Sequence, residues 1–132
     1  MGLRTLWDTN VAIYYLKKDL EADKALILDQ LSIDSSTLIS IISEIELLCW
    51  KTEAADDLIS LKTFVSRSIV LPLDQQVKQK TIDIRRTSRL KLPDAIIAAT
   101  AIVHNLTLVT RNSKDFELVP NLALLNPWAV QL

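Results

Sequence analysis

Glycine is almost missing from this chain: one residue, Gly2, in 132. Loops that cradle phosphate use glycine so that the backbone can come close to the anion. A P-loop and a dinucleotide-binding fingerprint are therefore excluded, and any phosphate chemistry falls to side chains or metals. Cysteine and histidine are as scarce, with Cys49 and His104 the single examples. No disulfide can form within the chain, and a zinc site with four Cys or His ligands is impossible. Cys49 is expected to be a small buried hydrophobe. Apolar runs are short and interrupted, so no segment reads as spanning a bilayer, and no membrane partner is expected. Arg4 and Asp8 fall where a secretory signal would carry its apolar centre. The location expected from these absences is cytoplasmic.

What is present points to a folded core. Hydrophobic residues make up 49% and charged residues 23%, a balance that argues against disorder. The length favours one domain over residues 1–132. The net charge is −1 but is unevenly spread. Residues 74–91 hold six basic side chains against two acidic ones. A whole-surface nucleic-acid footprint is absent, whereas a local one is available. Arg85, Arg86, Arg89 and Lys91 are the candidates to track an RNA backbone, though the same pattern suits a solvated helix face.

Periodicity predicts strands at 3–7, 37–39, 68–73, 107–110 and 122–125. Helices are predicted at 10–16, 19–31, 41–50, 52–65, 74–89 and 93–104. Within 41–50 the apolar face is read as Ile41, Ile45 and Leu48. Thr52 and Asp74 are candidate caps, Pro93 suits a first helical turn, and Asn105 a stop. Pro72 ends the strand at 68–73 or puts it on an edge. Strands and helices alternate, which implies an α/β sandwich with a parallel sheet.

Four carboxylates sit where a surface charge is not the obvious choice. Asp8 follows an apolar strand and precedes a helix, and ligand sites of parallel sheets lie beyond the carboxyl ends of strands. Taken alone, Asp8 reads as a helix cap. Asp94 opens a helix that is apolar nearly all round, so it heads a core element. By itself it is equally well a first-turn acid favoured by the helix dipole. Glu44 and Glu46 point roughly 160° apart on their helix and cannot serve one site together. Glu46 shares its side with Ser43, which leaves Glu44 to solvent. Asp115, with Asn112, lies in a polar stretch read as loop after the strand at 107–110.

Together the four can meet at one edge of a parallel sheet. Clustered carboxylates resist ionising together, and a divalent cation removes that conflict. Mg²⁺ or Mn²⁺ prefers such oxygen ligands, can activate water and can stabilise charge on a phosphodiester. Asp8 is then a metal ligand, which leaves capping to Thr9 or Asn10.

Four segments carry a resemblance: DTNVAIYYL at 8–16, ISEIELL at 42–48, LPDAIIAATA at 92–101 and LVTRNSKDF at 108–116. In this order and at this length they resemble the PIN-domain ribonucleases, especially the VapC toxins of toxin–antitoxin pairs, over essentially the whole chain. The resemblance implies a PIN-like three-layer α/β/α sandwich with a central, mostly parallel sheet. It also implies a Mg²⁺- or Mn²⁺-dependent endoribonuclease, a homodimer and a protein antitoxin. Asp8, Glu46, Asp94 and Asp115 match the family's catalytic, metal-binding acids. Asn10, Ser43 and Thr110 match polar positions that hold carboxylates or water, and Asn112 matches a supporting position.

Other classes compete. A PIN nuclease acting in RNA processing or on DNA, outside a toxin pair, would carry the same residues. An aspartyl-phosphate phosphatase needs a second aspartate two residues after the nucleophile, where this chain has Asn10. A non-catalytic binding module has no use for a complete acid set.

Overall fold

Alternation of apolar side chains along three short strands decides the architecture. The computed structural model describes residues 4–33 and 37–129. Its strands are β1 (Thr5–Trp7), β2 (Leu38–Ser40), β3 (Ile69–Leu71), β4 (Thr107–Val109) and β5 (Leu124–Leu125). All pair in parallel, in the order β3-β2-β1-β4-β5. Leu6 stands beside both Leu38 and Leu108, and Trp7 beside Val109. Because successive side chains point to opposite faces, Leu6, Leu38 and Leu108 enter one core and Trp7, Ile39 and Val109 enter another.

Helices cover both faces, so the fold is the expected three-layer α/β/α sandwich. The face with Leu6 is covered by α5 (Gln75–Thr87), through Val77 and Ile84, and by α6 (Leu92–Val103). In α6 every residue from Ala95 to Ala101 is buried, as an all-round apolar helix requires. Thr100 is tolerated there because its hydroxyl donates to the Ile96 carbonyl at 2.7 Å. The face with Trp7 is covered by α1 (Thr9–Leu16), α2 (Ala22–Ile33), α3 (Ile41–Leu48) and α4 (Ala55–Arg67). They supply Val11, Ala12, Leu28, Leu47, Leu61 and Val65.

Several expectations hold and several shift. Asp74 caps α5, accepting the Val77 N–H at 2.9 Å, and Pro93 lies in the first turn of α6. Asn105 ends α6 with a left-handed φ of 55°. Glycine would normally take that conformation; in its absence Lys18 (φ 56°) and Asn121 (φ 67°) take it too. The strand predicted from residue 3 is described from Thr5, and Leu3 lies outside the described residues. Thr52 does not cap α4. The cap is Ala54, whose N–H donates to Thr52 Oγ1 at 3.2 Å, so the helix starts later than predicted. Residues Ser113–Phe116, read as loop, form the single turn α7.

Two burial expectations fail. In α3 the buried residues are Ser43 and Leu47, while Ile45 and Leu48 are 51% and 48% exposed. Of the apolar face, Ile45 and Leu48 therefore point outward, and Ile41 is half-buried. Cys49 is exposed, because it stands at the C-terminal cap of α3 beyond the packed turn. Among the described residues no helix is long and apolar enough to cross a membrane.

Candidate active site

The chain leaves β1 and adds strands on one side through β2 to β3, then crosses back to lay β4 on the other side of β1. The order reverses between β1 and β4, and a crevice opens beyond the carboxyl ends of strands at such a point. Asp8 follows β1 and Thr110 follows β4, so both stand at its mouth.

Asp8 is buried, 7% exposed, and its backbone N–H continues the ladder to the Val109 carbonyl at 2.9 Å. Its carboxylate accepts the Thr9 N–H on Oδ1 at 2.8 Å and the Thr110 hydroxyl on Oδ2 at 2.9 Å. Asp8 is also the N-cap of α1, in extended conformation at φ −63° and ψ 149°. Capping therefore does not pass to Thr9 or Asn10; one side chain serves the helix and the crevice.

Thr9, read from the sequence only as a possible cap, is the next link. Its Oγ1 lies 2.7 Å from Glu46 Oε1 and 2.9 Å from Ser43 Oγ. A threonine hydroxyl has one proton, so Thr9 donates to the carboxylate and accepts from Ser43. Ser43 is fully buried on α3 one turn before Glu46, and this chain of hydroxyls fixes Glu46 beside Asp8. Glu46 is exposed and Glu44 half-buried, the reverse of the expected order, because Glu46 borders the open crevice. Asp94 lies in the first turn of α6 and is half-buried. Asp115, on α7, is exposed and accepts the Asn112 amide on Oδ2 at 2.7 Å.

Electrostatics tie the four acids together. Burial pushes the Asp8 carboxyl up from 3.8 to about 6. The Thr110 and Thr9 hydrogen bonds hold it back, and the charges of Asp94 and Glu46 add to the rise. Burial also raises Asp94, helped by the charges of Glu46 and Asp115 and opposed by Lys91. These are carboxylates in each other's field, which fits a hard divalent cation with oxygen ligands. Their side chains stand apart: among the described residues no three converge closely enough to hold one ion. Of the four, Glu46 and Asp115 are the exposed pair.

A cleft of about 570 Å³ runs beside Asp94 and Asp115 and is lined by Arg89, Lys91, Asn112 and Lys114 among others. Two of the four basic candidates, Arg89 and Lys91, thus meet the acids. Arg85 instead donates from Nη1 to the Leu90 carbonyl at 2.6 Å, holding the turn that leads into α6, and neither it nor Arg86 lines this cleft. Asn10 lines a second cleft of about 310 Å³ with Asp8, Tyr14, Arg111 and Asn112. Arg111 and Lys114 escaped notice in the sequence, where they were two basic residues in a polar stretch.

The family model for the PIN domain matches residues 5–122. No curated protein matches the chain. Among solved structures, VapBC2 from Rickettsia felis, bound to a DNA fragment from its promoter, superposes with a TM-score of 0.78 at 26% identity. The match covers 92% of this chain and 97% of that one. A toxin–antitoxin complex from Klebsiella pneumoniae gives 0.75 at 28% identity, covering 96% and 99%. DNA-bound VapBC from Salmonella typhimurium gives 0.79 at 26%, also covering 96% and 99%.

Proposed function

The chain belongs to the PIN-domain family, and from that premise we propose that it is a metal-dependent endoribonuclease acting as the toxin of a toxin–antitoxin pair. One observation carries the reading. Asp8, Glu46 and Asp94 act on one another electrostatically at the crevice, with Asp115 acting on Asp94, and Asp8 is buried among them. Such an arrangement is costly without a cation and useful with one.

Asp8, Asp94, Asp115 and Glu46 would hold Mg²⁺ or Mn²⁺, which would supply the positive charge that lets the carboxylates ionise together and would polarise water and phosphodiester. The chain's own residues prepare for it. Thr110 and Thr9 orient the two oxygens of Asp8, Ser43 and Thr9 orient Glu46, and Asn112 orients Asp115. Arg89, Lys91 and Lys114 line the cleft that leads to them and suit a phosphate backbone. No side-chain nucleophile is needed for hydrolysis.

A protein partner is supported by the solved neighbours, which include toxin–antitoxin complexes, and by apolar surface. Ile45 and Leu48 on α3 and Leu58 and Ile59 on α4 are all exposed. An antitoxin and a second copy of the chain are the occupants we assign to such surface, and the cytoplasm is where the activity would need restraint.

The test is cleavage of RNA by purified protein with Mg²⁺ or Mn²⁺. Asp94→Asn should abolish it without change in the circular dichroism spectrum. Cleavage at the wild-type rate would remove Asp94 from the site. Growth arrest that requires Asp8, and that is relieved by the protein encoded immediately upstream, tests the toxin role. A nuclease that causes no arrest belongs in RNA processing or DNA metabolism instead.

A further inference from the structure

Arg111 lies over two aromatic rings that touch each other. Its guanidinium carbon lies 5.1 Å from the centre of the Tyr14 ring and 5.2 Å from that of Trp128. The rings are 5.5 Å apart and inclined by 60°. Tyr14 comes from α1, Arg111 from the segment after β4, and Trp128 from the segment after β5. Asn126 pins the last two together. Its Nδ2 donates to the Arg111 carbonyl at 3.1 Å and to Ser113 Oγ at 3.2 Å, and its Oδ1 accepts the Trp128 N–H at 3.0 Å.

A guanidinium held over ring faces by cation–π attraction spends none of its N–H groups on conventional hydrogen-bond acceptors. Arg111 is exposed, and among the described residues no carboxylate is within ion-pair distance of it. Its donors are therefore positioned and unspent. The cleft it lines holds Asp8, Asn10 and Asn112, and Asn112 also lines the cleft with Arg89, Lys91 and Lys114. Two adjoining clefts thus share an amide at the carboxylates, one with Arg111 and the other with Arg89, Lys91 and Lys114.

We propose that Arg111, held by Tyr14 and Trp128, binds a backbone phosphate of single-stranded RNA in a second nucleotide subsite beside Asp8. This rests on the ribonuclease reading and extends it from the reacting phosphate to its neighbour. A fork of coplanar donors matches a phosphate's oxygens, and contact with the two rings lowers the cost of ordering a long side chain. Asn10 and Asn112 offer amides to the sugar or base of the same nucleotide. An acidic peptide fits less well, because an isolated carboxylate would meet Asp8 with no run of phosphates held at Arg89 and Lys91 to keep it there.

The experiment measures binding of a fluorescent single-stranded RNA by anisotropy, with Ca²⁺ in place of Mg²⁺, over a range of salt. Arg111→Ala should weaken binding roughly tenfold, the scale of a charge-assisted hydrogen bond. The slope of log affinity against log salt should fall by about 0.7, the value for one phosphate of a single strand. Arg111→Gln, which keeps a stem over the rings, should lose as much, and Arg111→Lys should recover only part. Tyr14→Leu should weaken binding while leaving the charge in place. The proposal is overturned if Arg111→Ala and Arg111→Gln, both folded, bind RNA with wild-type affinity and slope while Arg89→Ala binds weakly; the ribonuclease reading then stands alone. Loss confined to binding of the neutralising protein also overturns it. If the wild-type protein neither binds nor cuts RNA, the underlying reading fails first and takes the subsite with it.

Discussion

Thr110 donates its hydroxyl to Asp8 Oδ2 at 2.9 Å, across 102 positions of sequence. Thr110 is completely buried, so this donor has no water to replace it. Thr110→Val keeps the shape and removes this hydrogen bond, together with the one that Oγ1 accepts from the Asn112 N–H at 3.0 Å. The expected loss of stability at neutral pH is about 1–3 kcal/mol, the cost of leaving a buried charged acceptor short of a partner. The loss should shrink in acid, where Asp8 is protonated. Urea unfolding at neutral and mildly acidic pH checks both statements.

Asp8 itself makes stability depend on pH. Its carboxyl titrates near 6 in the folded chain against 3.8 ordinarily, so the folded state holds the proton more tightly. Stability of the metal-free protein should therefore fall as pH rises from about 4 to about 6, by up to roughly 3 kcal/mol from this group. Asp8→Asn should melt higher than wild type at neutral pH in EDTA and lose that advantage in acid. Mg²⁺ should raise the wild-type melting temperature more at neutral pH than in acid, and should not raise that of Asp8→Asn. A flat wild-type profile in EDTA would contradict this account.

The basic candidates should divide. Arg89→Ala, in the cleft with Asp94 and Asp115, should weaken RNA binding and lower its salt slope by about 0.7. Arg85→Ala removes the donor to the Leu90 carbonyl and should act on stability, by about 1–2 kcal/mol, as for a charged hydrogen bond lost. Its RNA salt slope should stay at the wild-type value. Equal effects of the two on binding would return Arg85 to the RNA path.

Lys18 sits at φ 56° in a left-handed conformation that disfavours a side chain. Lys18→Gly should stabilise the protein by about 0.5–1 kcal/mol, less than the full strain because glycine loses more freedom on folding. Thermal melting reads this directly, and no change in nuclease activity is expected.

The elements and the order of the acids were legible from local pattern, because strand alternation, α6 apolarity and the cap at Asp74 are properties of neighbouring residues. The inward side of α3 was not. Ile41, Ile45 and Leu48 form the more apolar stripe, but the crevice needs Ser43 turned inward to meet Thr9, and Leu47 follows it. Cys49 was misread for a related reason: hydrophobic character suggests burial, but a helix-end position does not provide it. Thr9 stood out only as a possible cap, since its link to Glu46 depends on two residues of another helix. Arg111 gave no signal, because Tyr14 and Trp128 come together only after the sheet has formed.

The reversal of strand order between β1 and β4 has a consequence for the life of the polypeptide. Asp8 and Glu46 leave the ribosome early, yet β1 lacks one of its two neighbours until Thr107–Val109 has been made. Thr110 and Asp115 follow only then. A chain that ends before β4 therefore carries Asp8, Glu46 and Asp94 on an unfinished sheet, without Thr110 and Asp115. Under the proposed ribonuclease function, such late assembly delays activity until β4 and α7 have been made.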